Sequence, residues 1–304
     1  MTKNLNIFVV VVTYNGMRNN WIKDCLYSLG KSSYPVNTIV VDNNSSDNTC
    51  NFVCQSFPNV TLFSQNKNLG FGQANNIGIK YALKKNADYV LLLNQDATLN
   101  PTAVQEMINI SDGNSLISPI HLNGQGNAID HMFKGSLRNA ENTLLDDLVI
   151  YGEQKDKYET GEICAACWLM PISLIRQIGG FNPIYFHYGE DNNYYQRLLY
   201  HKIKTYVATK AFMYHDRLIH GNAEAFNKNK LHRDLLNIAC NINNSFFNII
   251  YGMTLRLFRC YFTDLPKKQY KIGAFCKETC WLLNNIKTIL KSRKKEKIEQ
   301  LNWL

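Results

Sequence analysis

The sequence predicts an α/β fold, in which helices flank a doubly wound, mostly parallel sheet and a helical extension follows. Three observations predict this class. Short apolar segments rich in Val, Ile and Leu alternate with segments of helical periodicity. The loops between them have the lengths of crossover connections between parallel strands. Polar residues follow the apolar segments, at the sheet edge where ligands bind in such folds.

The alternation is clearest in the first third of the chain. The predicted strands are continuous apolar runs, which is the pattern of strands buried on both faces. Thr13, Asp42 and Asp96 fall at or just beyond their carboxyl ends, so we expect them to share one edge. The predicted strands lie at 6–13, 38–41, 60–63 and 89–93, and the helices between them at 20–31, 47–56 and 74–85.

The later elements are less regular. Residues 123–162 mix glycines, acids and isolated apolar residues, and we expect a long excursion that covers the sheet edge. A change of character near residue 222 predicts two units, a catalytic domain at 1–221 and a basic helical extension at 222–304. The remaining predicted strands lie at 116–118, 163–170 and 204–207, and the helices near 101, at 172–177, 192–200, 223–251, 255–262 and 272–291.

The net charge of +9 is unevenly distributed. Residues 1–227 contain 18 Lys and Arg against 19 Asp and Glu, whereas residues 228–304 contain 15 against 5. A near-neutral body with a basic extension argues against a nucleic-acid-binding protein. The basic extension is interpreted as a solvated helix end, as a homo-oligomer contact, or as a peripheral membrane contact, and attraction to anionic lipids favours the last.

Nine cysteines, an odd count, and the lack of a recognisable signal peptide or of a long apolar run predict a reducing, cytoplasmic location. The location extends to the inner face of the cell membrane if the extension binds lipid. Cys164 and Cys167 form a CAAC motif that invites a zinc or redox interpretation. Their apolar surroundings favour packing instead. Packing is also expected for the two pairs spaced by four, Cys50/Cys54 and Cys276/Cys280.

Several polar residues admit both a structural and a functional interpretation. Asp96 is either a turn former or a metal ligand. Glu190 and Asp191 open a predicted helix, where acids are stabilised by the helix dipole, or they act on a substrate. His215 is either a satisfied core histidine or a ligand, and these alternatives stay open on the residues alone.

Five segments in order carry a resemblance to a known family. The chain resembles a family 2 glycosyltransferase and is most similar to bacterial rhamnosyltransferase-like members of cell-surface polysaccharide synthesis. The segments are VVVTYN at 10–15, VVDNNSSDNT at 40–49, NLGFGQANNIG at 68–78, LLLNQDA at 91–97 and GGFNPIYFHYGEDNNYYQRL at 179–198.

The resemblance implies a GT-A fold, an inverting reaction and a UDP- or dTDP-sugar donor such as dTDP-rhamnose. It also implies a saccharide or lipid-linked saccharide acceptor and a divalent metal, Mn²⁺ or Mg²⁺. The metal ligands it implies are Asp96, as the last acid of a DXD-type motif, and His215. The donor-binding residues it implies are Thr13, Asn15, Asp42, Asn68, Gly70, Asn94 and Asp96, with Asp42 accepting from a pyrimidine N3–H.

On the acceptor side the resemblance implies Asp191 as general base and Glu190 as the residue that orients the acceptor. Two positions depart from the family pattern. Asn94 and Gln95 stand where many members carry acids, and Asn193 replaces a second aspartate. We therefore expect weak metal binding without the donor. Arg217 is a further candidate contact for the donor diphosphate.

Two other functions remain open. A nucleotidyltransferase would need a glycine-rich, basic phosphate loop after the first strand, and residues 12–17 (VTYNGM) lack one. A catalytically silent protein that binds nucleotide sugars or glycans is consistent with the amide at position 94. Donor hydrolysis that is lost in Asp96→Ala would distinguish the enzyme from the silent protein.

Overall fold

The computed structural model describes residues 5–137, 144, 146–217, 230–264 and 272–304. Its centre is one mixed sheet with strand order β3-β2-β1-β4-β8-β6-β9-β5, and β7 pairs with β9. The strands are β1 (Ile7–Thr13), β2 (Asn37–Asp42), β3 (Thr61–Ser64), β4 (Tyr89–Asn94), β5 (Ala97–Leu99), β6 (Leu116–Asn123), β7 (Lys157–Glu159), β8 (Cys167–Pro171) and β9 (Thr205–His215).

Helices cover both faces of this sheet and form a separate layer near the C-terminus. In the described part of the chain they are α1 (Trp21–Gly30), α2 (Thr49–Ser56), α3 (Phe71–Lys84), α4 (Ala103–Asn109), α5 (His131–Ser136), α6 (Ile172–Ile178), α7 (Glu190–Tyr200), α8 (Lys230–Cys240), α9 (Phe246–Arg259) and α10 (Ile272–Glu296). The predicted α/β class is therefore confirmed.

The first four strands form the predicted parallel half. β1 lies between β2 and β4, and all three run in the same direction. Their central residues are fully buried, because helices cover both faces of the sheet. In this register Thr13 lies beside Asp42, and Val12 beside Asn94. The polar residues at the strand ends therefore meet at one edge.

The second half of the sheet is mixed rather than parallel. β8 runs antiparallel to both β4 and β6, whereas β6 and β9 are parallel. β5 and β7 pair antiparallel with the two ends of β9. The predicted short strand at 204–207 is instead the first part of the long β9. It extends to His215 because β5, β6 and β7 all provide hydrogen-bonding partners for it.

The excursion and the extension contain structure that the sequence did not predict. Residues 123–162 include α5, a π-helical turn at Asp147–Tyr151 and the short β7. The predicted helix at 223–251 is interrupted, and α9 begins anew after Ser245, whose side chain accepts from the Asn248 amide. The predicted domain boundary at 221/222 lies outside the described residues and stays a prediction.

The C-terminal layer is anchored to α7 through a buried carboxylate. Glu296 accepts hydrogen bonds from Asn182 Nδ2 (2.8 Å) and Asn193 Nδ2 (3.2 Å). Its Oε1 also lies 3.8 Å from the Arg197 Nε, and both of these charged side chains are fully buried. Removing one partner of a buried charge pair costs about 3–5 kcal/mol of unfolding free energy. Asn193, where the family pattern has an aspartate, therefore binds a carboxylate supplied by α10.

The nine cysteines are all free thiols. Cys167 is buried in the sheet and Cys164 is half-buried, so packing accounts for the CAAC motif. Cys276 and Cys280 are exposed, because their side of α10 faces solvent, and Cys54 is exposed as well, so the packing prediction is wrong for these three residues. Within the ranges that the structure describes, no helix is long and apolar enough to cross a membrane.

Candidate active site

The candidate site lies at the carboxyl ends of β1, β2 and β4, where the first half of the sheet meets the second. Asp42 is buried at the end of β2, and its Oδ2 accepts from the Ser45 amide at 3.0 Å. Its Oδ1 is also buried but has no hydrogen-bond partner among the described residues. A buried acceptor without a donor is destabilising. A ligand N–H would satisfy it, as the predicted pyrimidine contact requires.

The loops after β1 and β2 are joined beside Asp42. Asn15 has a left-handed backbone (φ 50°), which asparagine tolerates better than most residues. Its amide donates to Ser45 Oγ (2.8 Å), and its Oδ1 accepts from the Ser46 amide (2.8 Å). Asn15 therefore fixes the shape of the predicted nucleoside pocket, although its side-chain oxygen is already occupied by protein donors.

The Asn68–Gly70 loop forms a second wall. Asn68 Oδ1 accepts from Asn43 Nδ2 and from the Gly70 amide, both at 2.9 Å. Gly70 has φ +80°, and a Cβ on it would lie 1.8 Å from the main-chain oxygen of Phe186. Only glycine fits both constraints. The loop before α3 is therefore in direct contact with the segment that leads into α7.

Gln95 has a structural role that sequence reasoning missed. Its Oε1 accepts from Thr13 Oγ1 (2.6 Å) and from the Tyr14 amide (3.1 Å), and its Nε2 donates to the Tyr14 carbonyl (3.1 Å). A carboxylate here would place an oxygen against that carbonyl without a proton between them. The amide therefore holds the ends of β1 and β4 together, and this position is not free to bind a metal.

Asp96 is the residue of the Asn94-Gln95-Asp96 segment whose carboxylate reaches the surface of the site. Asn94 Oδ1 is buried without a hydrogen-bond partner among the described residues, whereas the Asp96 side chain is 21% exposed. Asp96 Oδ1 lies 3.3 Å from His215 Nε2, because β5 pairs with β9 immediately after Asp96. Burial raises the pKa of Asp96, but the hydrogen bond and charge of His215 and the charge of Arg217 outweigh it, so the pKa is lowered.

The Asp96–His215 pair fits a divalent metal as an incomplete site. A carboxylate oxygen and an imidazole nitrogen are both suitable ligands for Mn²⁺, whereas Mg²⁺ prefers oxygen. Among the described residues, no group of three or more His, Cys, Asp or Glu side chains could hold a metal ion. The pair therefore provides two ligands, and among the described residues no other acid, histidine or cysteine completes the site, so water and substrate would have to supply further ligands.

Glu190 and Asp191 begin α7 on the other side of the Gly70–Phe186 contact. Glu190 is only 5% exposed, and its Oε2 has no hydrogen-bond partner in the described part of the chain. Burial, and then the charge of Asp191, raise the pKa of Glu190 to about 8. Burial also raises the pKa of Asp191, against the opposing effects of nearby amide groups and of Arg233. Both acids therefore hold protons more tightly than exposed carboxylates.

A third acid, Glu162, lies beside Asp191 and Asn192, and the sequence did not predict it. Its Oε1 accepts from the side-chain amide of Asn192, the residue after Asp191. Burial of its carboxyl group and the charge of Asp191 raise the pKa of Glu162 to about 7, although the residue keeps exposed surface. Glu162 is the last residue of the excursion at 123–162. The sequence of that segment has no periodicity that would indicate which of its residues face the site.

Arg217 follows β9, two residues after His215. Its Nε donates to Asp130 Oδ2 at 2.9 Å, and its Nη2 lies 3.6 Å from Cys164 Sγ. Its positive charge lowers the pKa of Asp96, so the two groups lie near each other. The predicted diphosphate contact would use the remaining donors of this guanidinium. It stays a prediction.

Residues 8–179 match the sequence model of a family described as "Glycosyl transferase family 2". One relative is the N-acetylglucosaminyl-diphospho-decaprenol L-rhamnosyltransferase of Mycobacterium tuberculosis. It is 24% identical over 214 residues, which are 62% of this chain and 69% of that protein. The dTDP-rhamnosyl transferase RfbF of Shigella flexneri is 30% identical over 104 residues, 34% of each chain.

Two solved structures illustrate the likeness of fold. The S. aureus TarS fragment 1-349 in complex with UDP has a TM-score of 0.55 at 17% identity, covering 96% of this chain and 88% of that one. Mannosyltransferase PcManGT from Pyrobaculum calidifontis, in complex with GDP-Man and Mn²⁺, has a TM-score of 0.58 at 14% identity, covering 97% and 85%. At these identities the likeness shows the fold, which is that of GT-A glycosyltransferases.

Proposed function

Since this chain belongs to glycosyl transferase family 2 and is a rhamnosyltransferase-like glycosyltransferase, we propose that it moves a sugar, with inversion, from a UDP- or dTDP-sugar to a saccharide acceptor. The observation that carries the proposal is the contact between Gly70 and the Phe186 main chain. It joins the loop beside Asp42, which suits a nucleoside, to the segment that presents Asp191. Donor and acceptor groups are thereby held at one edge.

Asp191 is the general base in this proposal. An acceptor hydroxyl oxygen attacks the anomeric carbon from the face opposite the diphosphate, and the hydroxyl proton passes to the Asp191 carboxylate. The new C–O bond forms as the bond to the diphosphate oxygen breaks, so the configuration inverts. The raised pKa of Asp191 increases its affinity for that proton.

Glu190 positions the acceptor. With a pKa of about 8 it is mostly protonated at neutral pH, so its carboxyl group can both donate and accept a hydrogen bond. Its unpartnered Oε2 is available to a second acceptor hydroxyl. A neutral neighbour also adds no charge repulsion against an ionised Asp191, the form that the reaction requires.

Asp96 and His215 would hold Mn²⁺ or Mg²⁺ on the donor diphosphate. When bound, such an ion would stabilise the charge that develops on the leaving group. Arg217 lies on the same side, and its guanidinium would add positive charge there. Thr13, Asn15 and Asn68 shape the nucleoside pocket through the contacts described above.

The names of the relatives suggest the substrates. One is described as a dTDP-rhamnosyl transferase and another as acting on a diphospho-decaprenol acceptor. We propose dTDP-rhamnose as donor and a lipid-linked saccharide as acceptor, used in cell-surface polysaccharide synthesis at the inner face of the membrane. The silent-binding alternative is favoured by a single observation, the engagement of Gln95 by Tyr14.

The test is transfer and donor hydrolysis by the purified protein with dTDP-rhamnose and Mn²⁺. Asp191→Asn should lower turnover by roughly 10²–10⁴-fold while dTDP binding persists. Asp96→Ala should abolish turnover, and Asp24→Asn, an exposed acid on α1, is the matched control. Intact nucleotide binding with no turnover in the native protein would instead support the silent-binding alternative.

A further inference from the structure

Helix α9 carries an apolar face that points away from the protein. Phe247 is 80% exposed and Phe258 is 61% exposed. Both lie on the same side of the helix as Tyr251 and Leu255, which are also exposed. This outer face is defined by Phe247, Ile250, Tyr251, Thr254, Leu255 and Phe258.

The opposite side of α9 is already packed. Met253 and Leu257 contact the apolar cluster that α8 and α10 build around Leu235 and Leu282. Arg256, on this packed side, pairs with Asp234 of α8 at 2.9 Å. The position of the helix is therefore fixed by its inner face. A helix of this kind normally presents polar residues to water, whereas α9 presents aromatic rings.

Large exposed apolar patches generally mark interaction sites. The charge of this region decides between two occupants, a second copy of this chain and a lipid surface. The described residues 246–264 and 272–304 contain 9 Lys and Arg against 4 Asp and Glu, an excess of five positive charges. Two copies meeting through this region would bring like charges together. A surface of anionic lipid headgroups would instead attract these charges while its acyl chains receive the rings.

We infer that the outer face of α9 is a membrane-docking surface, on which the helix lies in the plane of an anionic bilayer with Phe247 and Phe258 inserted. Arg259, exposed at the end of the helix, lies at the headgroup level. Two turns of α10 carry a second exposed apolar stripe, formed by Leu283, Ile286 and Leu290. The inference needs no assumption about the donor or the reaction.

The experiment is flotation of the full chain with vesicles, in the absence of any nucleotide. Vesicles with about one third phosphatidylglycerol should bind the protein, and pure phosphatidylcholine vesicles should bind it much less. The double variant Phe247→Gln/Phe258→Gln should lose roughly tenfold or more of this partition, because two inserted rings are removed. Its circular dichroism should match the native protein, since both side chains are exposed.

The matched control is Tyr27→Gln/Leu199→Gln, which removes two apolar side chains, each 51% exposed, from other helices. It should float with anionic vesicles like the native protein. Equal partition of the native protein and the α9 double variant would overturn the inference, and so would failure of the native protein to float. A native dimer that becomes monomeric in the α9 double variant, with flotation unchanged, would assign the face to a second copy and also overturn it.

Discussion

Asp42→Asn should change which pyrimidine the protein binds. In the structure Asp42 Oδ2 accepts from the Ser45 amide, and Oδ1 is buried without a described partner. The asparagine oxygen can keep the Ser45 contact, which places its NH₂ group where Oδ1 now lies. That group donates, so it opposes the N3–H of uracil or thymine and matches the N3 acceptor of cytosine.

A hydrogen bond to a charged group contributes about 1.5–3 kcal/mol, so UDP and dTDP should bind roughly 10- to 150-fold more weakly. The affinity for CDP should fall less or should rise, so the preference shifts from uracil and thymine toward cytosine. The unliganded variant should be about as stable as the native protein, because its NH₂ group is buried without an acceptor where the Asp42 Oδ1 was buried without a donor.

Isothermal titration of UDP, dTDP and CDP against both proteins measures the preference, and urea unfolding measures the stability. Ser46→Ala is the control, because Ser46 lies in the same loop but contacts Asn15 rather than Asp42. Equal losses for UDP and CDP, or no loss for either, would refute the reasoning about the Asp42 oxygen.

Three further predictions concern other parts of the site. Gly70→Ala should destabilise by roughly 2 kcal/mol or more beyond Gly113→Ala in urea unfolding, because both have positive φ but only Gly70 lacks space for a Cβ; equal losses would contradict this. Arg233 lowers the pKa of Asp191, so Arg233→Ala should raise it and move the acidic limb of the kcat/KM profile to higher pH, and an unmoved limb would rule this out. Mn²⁺ measured by electron paramagnetic resonance should bind at least about tenfold more tightly with UDP than without it, and Asp96→Ala should remove this dependence; tight binding to the free protein would mean that further protein ligands exist.

The parallel half of the fold could be predicted because its pattern is local. The strands β1, β2 and β4 each contain a continuous apolar run, and the helices between the strands fix their direction. The direction of β8 depends instead on which neighbour it meets, and the same apolar pattern suits either orientation. The length of β9 depends on three partner strands, so the sequence near residue 204 predicted only its first part.

The same distinction applies to the site. Thr13, Asp42 and Asp96 could be placed together because the carboxyl ends of neighbouring strands converge. Gln95 and Glu162 could not be interpreted, because their roles depend on the groups opposite them in space. Gln95 acts through the backbone of Tyr14, and the pKa of Glu162 is raised by burial and then by the charge of Asp191. A departure from a family motif at position 95 thus has a structural explanation.

The buried Glu296 carboxylate also sets the order in which the two sides of the site can form during synthesis. Asn193 of α7 and Glu296 are separated by 103 residues. At ribosomal rates this interval lasts roughly 5 to 20 seconds. The strands β1 to β4 are made well before it begins, so the sheet edge with Thr13, Asp42 and Asn94 can assemble on the nascent chain. Helix α7 gains its buried anchor only after α10 has emerged, so the part of the site that contains Glu190 and Asp191 is fixed last.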